Sequence, residues 1–399
     1  VNAEKAWQLA GNRGSEKVVV AVIDTGVDYN HESLKSNSVA GYDFIKNNED
    51  PMDITGSQNP GHGTHCAGIV GATGEVENGT SGMAQKVAIM PIRFLDQNGS
   101  GDLMNGVKAI DFAIAKKVRV ISASWGAKIG RSQAKPVIEA VERADAAGII
   151  FVAAAANDGK NNDNTEMFPA NVNSKNMITV AASGPNDEKP SWSNYGRKMV
   201  SLAAPGLDIM STLPKNKYSN LSGTSMATPL VSGLVALLLA QNEALTGMEV
   251  RSLLQLTGAN VQIETQCNCR VDAGAAMEAL LNKTPFIAPA AKTIAPKETL
   301  QLAVVNAKAP FTFTSTNPSV LSVDTNGLVT AMAKGDARVT ALDSAGAKAT
   351  TLDLRVVEAG SGGGGDDGGG GAPGECPLPD PELCEQICQI SPTLPWCKQ

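Results

Sequence analysis

Six short apolar runs recur through the first 205 residues, and they constrain the fold more than any other feature of the chain. "VVVAVI" begins at Val18, "VAIMPI" at Val87, "VRVISA" at Val118, "GIIFVAA" at Gly148, "MITVAA" at Met177 and "MVSLAA" at Met199. None alternates polar with apolar residues, so each reads as a strand covered on both faces, as in a parallel sheet. Helix-like segments lie between several of them, including Asp102 to Lys116 and Ala134 to Ala147. The pattern predicts an α/β fold, a doubly wound and mainly parallel sheet. Such sheets bind ligands outside the carboxyl ends of their strands, so the residues just after each run are where chemistry is expected.

From about Thr284 the helical patterns stop. "ETLQLAVV", "FTFTST", "VLSVD", "GLVTAMA", "ARVTAL" and "ATTLDLRVV" follow as short strands divided by Asn-Pro, Asn-Gly and Ser-Ala-Gly turns. They predict a small all-β sandwich. The expected organisation is therefore an α/β domain over 1–284, a β-sandwich over 285–358, a flexible Gly-rich linker over 359–375 and a cysteine-rich tail over 376–399.

Charge excludes one class of partner. A net charge of -7 and a pI near 5.2 give no basic field of the kind that holds nucleic acid. The longest apolar run, Leu234 to Ala240, falls well short of the roughly 20 residues that cross a bilayer, so no membrane span is expected. The opening "VNAEKAWQLAGNRGSEK" lacks a charged segment followed by an apolar one and reads as the start of a mature product. Of seven cysteines, Cys376, Cys384, Cys388 and Cys397 crowd the tail, which suggests a disulfide-stapled unit in an oxidising, extracellular compartment. The odd total leaves a thiol unpaired in a monomer. Cys66, inside an apolar helical run, is the candidate. Cys267 and Cys269 could bond to each other, bond elsewhere or stay free.

Three stretches carry chemistry-bearing residues. "VIDTGVD" puts Asp24 at the carboxyl end of the first strand, a position that by itself suits a turn former. "NPGHGTHCAGIVGA" places His62 where a small-residue helix begins, and the only other imidazoles are His31 and His65, which read as packing residues. "NLSGTSMATPLVSG" sets Ser225 at the start of the apolar run "LVALLLAQ". An apolar helix driven through a sheet protein presents its unpaired N–H groups at one defined point, where a hydroxyl stays reachable while its helix is buried. Pro229 would leave the carbonyl of Ser225 without its usual intrahelical partner. Gly223 lets backbone or substrate approach closely. An aspartate, a histidine and a serine can together make an activated nucleophile, the imidazole taking the serine proton and the carboxylate fixing its tautomer.

With the chain order Asp, His, Ser, the motifs "VIDTGVD", "GHGTHCAG" and "SGTSMATP" resemble those of the subtilisin-like serine proteases, and "THCAG" is similar to the proteinase K and thermitase branches. The resemblance runs from about Ala6 to Ala279. It implies a triad of Asp24, His62 and Ser225, with Asn157 as the side-chain donor to the oxyanion beside the Ser225 N–H. It also implies that extended peptide substrates lie along Gly99, Ser100 and Gly101 on one side and Ser124, Trp125 and Gly126 on the other, with Leu103 nearby.

Departures from the family pattern carry their own expectations. Ala156 stands where a glycine usually lines the primary specificity pocket and should narrow it. Trp125 and Gly106 replace a leucine and a branched aliphatic, so the missing side chain at Gly106 should make room for the indole in a reshaped outer pocket. Leu230 replaces a frequent histidine without expected catalytic consequence. Structural calcium is common in the family, but Ser33 replaces an aspartate often used to bind it. Asn48, Asp50, Asp53 and Asn78 remain as candidate ligands, with ordinary solvated loops as the competing reading. The implied function is that of a secreted, monomeric serine endopeptidase acting on polypeptides without an organic cofactor. The alternative is an adhesion or binding protein whose C-terminal region, similar to bacterial immunoglobulin-like repeats, contacts a surface or matrix.

Overall fold

The computed structural model describes residues 1–358, so the linker and the cysteine tail lie outside the described residues. In chain order the α/β part comprises α1 (Ala3–Ala10), β1 (Gly14–Asp24), β2 (Tyr42–Asp43), α2 (His62–Gly71), β3 (Lys86–Arg93), α3 (Leu103–Ala115), β4 (Val120–Ala123), α4 (Lys135–Ala146) and β5 (Ile150–Ala154). It continues with β6 (Met177–Ser183), β7 (Leu202–Pro205), β8 (Ile209–Leu213), β9 (Lys217–Leu221), α5 (Thr224–Gln241), α6 (Gly247–Thr257), β10 (Ala259–Asn260), β11 (Cys269–Arg270) and α7 (Ala273–Leu281).

The six apolar runs become β1, β3, β4, β5, β6 and β7, and with three short strands they form one sheet in the order β10-β11-β7-β6-β5-β4-β1-β3-β2. Every neighbour pair is parallel except β10 with β11. Both faces are covered, which explains the unbroken hydrophobicity of the runs. In β1, Val20 and Val22 enter the cluster packed against α2, α5 and α7, while Ala21 and Ile23 enter the opposite one, built with α3 and α4. Where β1 and β3 end side by side, with Asp24 opposite Arg93, a buried ion pair joins Arg93 Nη1 to Asp43 Oδ2 at 2.6 Å.

Helix α5 is long and apolar enough to cross a membrane by length and composition alone, but 78% of it is buried within the protein. It is the central core helix, and its amino terminus emerges at the carboxyl edge of the sheet. Cys267 and Cys269 are bonded to each other.

The C-terminal region is built of small, mostly antiparallel sheets around its own core of residues such as Leu302, Leu321, Val329 and Leu354. Its first strand, β12 (Phe286–Ala288), serves two cores at once, because successive side chains point to opposite faces. Phe286 and Ala288 join the cluster of the α/β part, and Ile287 joins the sandwich. The Ala290 N–H donates to Ser252 Oγ of α6 at 3.1 Å. At the start of the following strand, β13 (Lys292–Ile294), Lys292 Nζ donates to Asn173. Arg251 of α6 donates to the carbonyls of Ser174 and Met177, at the amino-terminal end of β6, so the sandwich sits toward the rim opposite Asp24 and Asn157.

Candidate active site

Asp24 is the last residue of β1 and is fully buried, and His62 is the first of α2. Their side chains meet at 2.8 Å between Asp24 Oδ1 and His62 Nδ1. Asp24 Oδ1 also accepts the Thr25 N–H at 2.7 Å. Asn59 braces the other partner, its Oδ1 accepting the N–H groups of Gly61 and His62. Burial pulls the His62 pKa down, but the Asp24 carboxylate and the neighbouring Cys66 sulfur raise it, and the balance stands well above the ordinary 6.5. The imidazole therefore presents Nε2 toward the cleft, with Nδ1–H committed to the carboxylate.

Ser225 sits in the first turn of α5. Its Oγ donates to the carbonyl of Ser124 at 3.2 Å, not to the imidazole. The carbonyl orphaned by Pro229 has found partners outside the helix. It accepts from Ser124 Oγ at 3.0 Å and from the Cys66 thiol at 3.4 Å. Cys66 also lies 4.0 Å from His62 Nδ1, so it bridges the two catalytic candidates from below. Burial pushes its thiol pKa up, which keeps it protonated. The sequence suggested a free, packed cysteine here, and Cys66 is free and buried. Nothing in its local pattern signalled that it touches both helix starts.

Asn157 follows β5 and is held by α5 itself, its Oδ1 accepting Thr224 N at 2.9 Å and Thr224 Oγ1 at 3.0 Å. Both bonds use the acceptor oxygen, which leaves Nδ2 as the outward donor. A Cβ added to Gly223 would lie 3.5 Å from Asn157 Nδ2 and 3.5 Å from Ser225 N, so the absent side chain leaves open the space these two donors share. Ala156, where a glycine was the family norm, has φ 89°, a backbone region that favours glycine. The expectation of a narrower pocket came from its methyl, but the backbone strain was invisible in the sequence.

A cleft of about 800 Å³ opens beside His62, lined by Gly99, Ser100, Gly101, Leu103, Ser124, Trp125 and Gly126 among others. Trp125 stacks edge-on with Phe94, ring centroids 4.8 Å apart. A Cβ on Gly106 would meet Phe94 at 3.2 Å and Trp125 at 3.6 Å, so the bare backbone there accommodates both rings. Phe94 was not singled out from the sequence, because it ends an ordinary apolar strand run.

The other two histidines face structure. His31 Nε2 lies 3.2 Å from the Lys217 carbonyl and its Nδ1 accepts Ser33 N. His65 Nε2 lies 3.0 Å from the Ser219 carbonyl, and burial lowers its pKa to about 4.

Three of the candidate calcium residues, Asn48, Asp50 and Asp53, hold hydrogen bonds within the protein. Asp53 is buried, and its two oxygens accept four protein hydrogen bonds, from Thr25 Oγ1, Asn59 Nδ2, Thr64 N and Thr64 Oγ1. It braces the turn after Asp24 against the start of α2. Asn48 Oδ1 accepts the Asp50 N–H, Asp50 Oδ1 accepts the Tyr29 hydroxyl, and Asn78 occupies a left-handed turn at φ 58°. Among the described residues, the cluster of three His, Cys, Asp or Glu side chains with ligand atoms within 4.8 Å of one another is Asp24, His62 and Cys66. That cluster is the one already accounted for by the Asp24–His62 pair.

A buried aspartate on a histidine, beside a helix-start serine, recurs in known proteins. The family model described as Subtilase family matches residues 15–276. The chain belongs to the subtilase family. A second model, Bacterial Ig-like domain (group 2), matches residues 286–353. Thermitase of Thermoactinomyces vulgaris is 38% identical over 261 residues, covering 65% of this chain and 87% of that protein. The thermophilic serine proteinase of Bacillus sp. (strain AK1) is 40% identical over 256 residues, or 64% of this chain, which spans only 59% of that relative's length. Among solved structures, a cold adapted subtilisin-like serine proteinase superposes with a TM-score of 0.55 at 34% identity, covering 64% of this chain and 86% of that one. A protease from Pseudoalteromonas arctica PAMC 21717 gives 0.61 at 30% identity, covering 70% and 94%.

Proposed function

We propose that this subtilase is a secreted serine endopeptidase that hydrolyses polypeptides through Asp24, His62 and Ser225. The observation that carries the reading is the 2.8 Å bond from the buried Asp24 carboxylate to His62 Nδ1, which sets the tautomer that a general base requires. The Ser225 hydroxyl turns from the Ser124 carbonyl to His62 Nε2, a rearrangement in keeping with the loose catalytic bonds common in free enzymes. As Oγ bonds to the substrate carbonyl carbon, its proton passes to Nε2, and the carbonyl electron pair moves onto oxygen between Ser225 N–H and Asn157 Nδ2. Collapse breaks the C–N bond while the imidazolium protonates the leaving amine. Water then attacks the acyl-enzyme by the same proton route. These residues supply nucleophile, base, orienting acid and oxyanion donors, so the chemistry asks for no organic cofactor.

Extended substrate would pair its main chain with the Gly99–Gly101 and Ser124–Gly126 segments that line the cleft, with Leu103 and the Phe94–Trp125 pair shaping an outer pocket. Cysteine usage supports an extracellular location. The immunoglobulin-like region is read as a surface- or matrix-contacting module attached to a working, monomeric protease. The decisive experiment is labelling of folded protein by a fluorophosphonate, with casein hydrolysis measured alongside. Labelling confined to Ser225, with both signals lost in Ser225→Ala, is the expected result. An unlabelled Ser225 in protein that leaves casein intact would remove the mechanism and leave adhesion through the C-terminal region as the better reading, whereas casein cleavage that survives Ser225→Ala would move the chemistry to another nucleophile.

A further inference from the structure

A second cavity, also about 800 Å³, opens at the opposite rim of the sheet. Its floor is formed where β4 and β5 begin, and its walls come from the ends of α3 and α4 and the turn between α5 and α6. Ile114, Val118, Ile149, Leu245 and Met248 give it an apolar lining. Arg119 and Lys117 come from the loop before β4, and Lys175 from the loop before β6.

The charges in this cavity are unevenly used. Arg119 donates through Nη2 to the Leu245 carbonyl at 3.3 Å, while its Nε is buried without a hydrogen-bond partner. Among the described residues neither Arg119, Lys117 nor Lys175 takes part in an ion pair. Two acids also line the space. Asp145 is already committed, its Oδ2 accepting from Ser174 Oγ and the Lys175 N–H, and Glu243 is exposed at the rim. At the two helix ends Lys117 N bonds to Ile114 O, and Ile149 N to Ala144 O, which occupies one terminal carbonyl of each helix. What remains is a guanidinium on an apolar floor, flanked by two lysines; its Nε is sealed from the cavity, so a ligand would meet the Nη edge. A carboxylate is the group that matches the planar guanidinium fork.

We propose that this cavity binds a monocarboxylate with an apolar body, the carboxylate on Arg119 and the body against Val118, Ile149 and Leu245. Two sources share that chemistry: a fatty acid, and the C-terminus of a peptide ending in apolar residues. The site is separate from the catalytic cleft. Arg119 lies five residues before Ser124 along an extended strand, about 16 Å away.

The test uses the full chain carrying Ser225→Ala, so that peptide probes survive, with titration calorimetry at low salt. Decanoate is compared with decanol, and an acetylated Ala-Leu-Leu peptide with its C-terminal amide. At least one carboxylate should bind about tenfold or more tightly than its uncharged counterpart. Arg119→Gln should weaken that binding by about tenfold, and Lys117→Ala and Lys175→Ala by less, since they are exposed. Because Arg119 also holds the Leu245 carbonyl, unfolding curves of Arg119→Gln are measured, and the two lysine variants carry the test if it is unfolded. The arm that binds identifies the source. Carboxylates that bind no better than their neutral partners, or whose binding survives Arg119→Gln and the double lysine variant, would overturn the proposal. The decanoate arm does not depend on the protease reading, so its outcome is separable from that of Ser225 labelling.

Discussion

Phe286→Ala is expected to destabilise the α/β part of the molecule, although the residue belongs by sequence to the immunoglobulin-like region. Its ring is 5% exposed and packs in the cluster of the large domain, whereas its neighbour Ile287 is fully buried in the sandwich core. Removing the ring forfeits roughly 2–3 kcal/mol of transfer free energy, and the cavity left beside α6 raises the loss to about 3–5 kcal/mol. For a unit of this size each kcal/mol moves the midpoint by about 2 °C, so Tm should fall by about 6–10 °C. Calorimetry on the Ser225→Ala background avoids self-digestion. The same logic makes residues 1–284 alone less stable than the full chain, because truncation uncovers the face of α6 that Phe286 and Ala288 protect. Ile287→Ala, one position along, should weaken the sandwich first. If Phe286→Ala shifts only a separate C-terminal transition, or 1–284 melts with the parent, the shared strand is not a joint core and the two regions are merely tethered.

Three further outcomes follow from the site. Asn157→Ala should lower kcat by about 10²- to 10³-fold with little change in KM, a magnitude taken from subtilisin; a loss confined to KM would mean that Nδ2 does not face the oxyanion. Activity needs neutral His62, whose pKa is raised by Asp24, so kcat/KM should climb with pH through a midpoint above 6.5. A midpoint at or below 6.5 would contradict the pairing, and Asp24→Asn should shift it downward while cutting the rate by about 10⁴-fold. Ala156→Gly relieves a φ of 89° and should stabilise the fold by about 1 kcal/mol while widening tolerance for large side chains before the cut bond. Unchanged stability and unchanged preference in a peptide series would show that neither the strain nor the methyl matters.

The sheet was readable because burial on both faces leaves a direct mark in composition. Strands that alternate between two apolar cores, as Val20 and Ile23 do, have no polar face to write. The catalytic candidates were readable through glycine-flanked motifs at strand ends and helix starts, which is where such a sheet puts its ligands. Hidden from the sequence were groups whose role is set by a partner far along the chain. Asp53 read as a candidate calcium ligand or an acid in a solvated loop, and it is a buried acceptor tying Thr25 to Thr64. Thr224 carries no signal of its own in its motif, yet its N–H and hydroxyl orient Asn157 across a separation of 67 residues. The seam between regions was placed at a change in composition after Thr284, but β12 contributes to both cores, a property that alternating side chains permit and no local pattern announces.

These hidden residues share a physical logic. Acyl transfer needs donors and acceptors fixed before substrate arrives, and fixing a polar group inside a protein requires that its own hydrogen bonds be satisfied. The site meets that demand with single residues doing double service. Ser124 accepts the Ser225 hydroxyl through its carbonyl and donates through Oγ to the Ser225 carbonyl, which Pro229 left vacant. Asn59 donates to Asp53 and caps the helix that carries His62. Thr25 donates to Asp53 and accepts the Gly63 N–H, next to that histidine. The proline, costly in an ordinary helix interior, thus frees the acceptor that draws β4 and α2 onto the nucleophile's turn. The geometry of this corner follows from how the chain disposes of its unpaired backbone groups, and Asp24, His62 and Ser225 are its visible end.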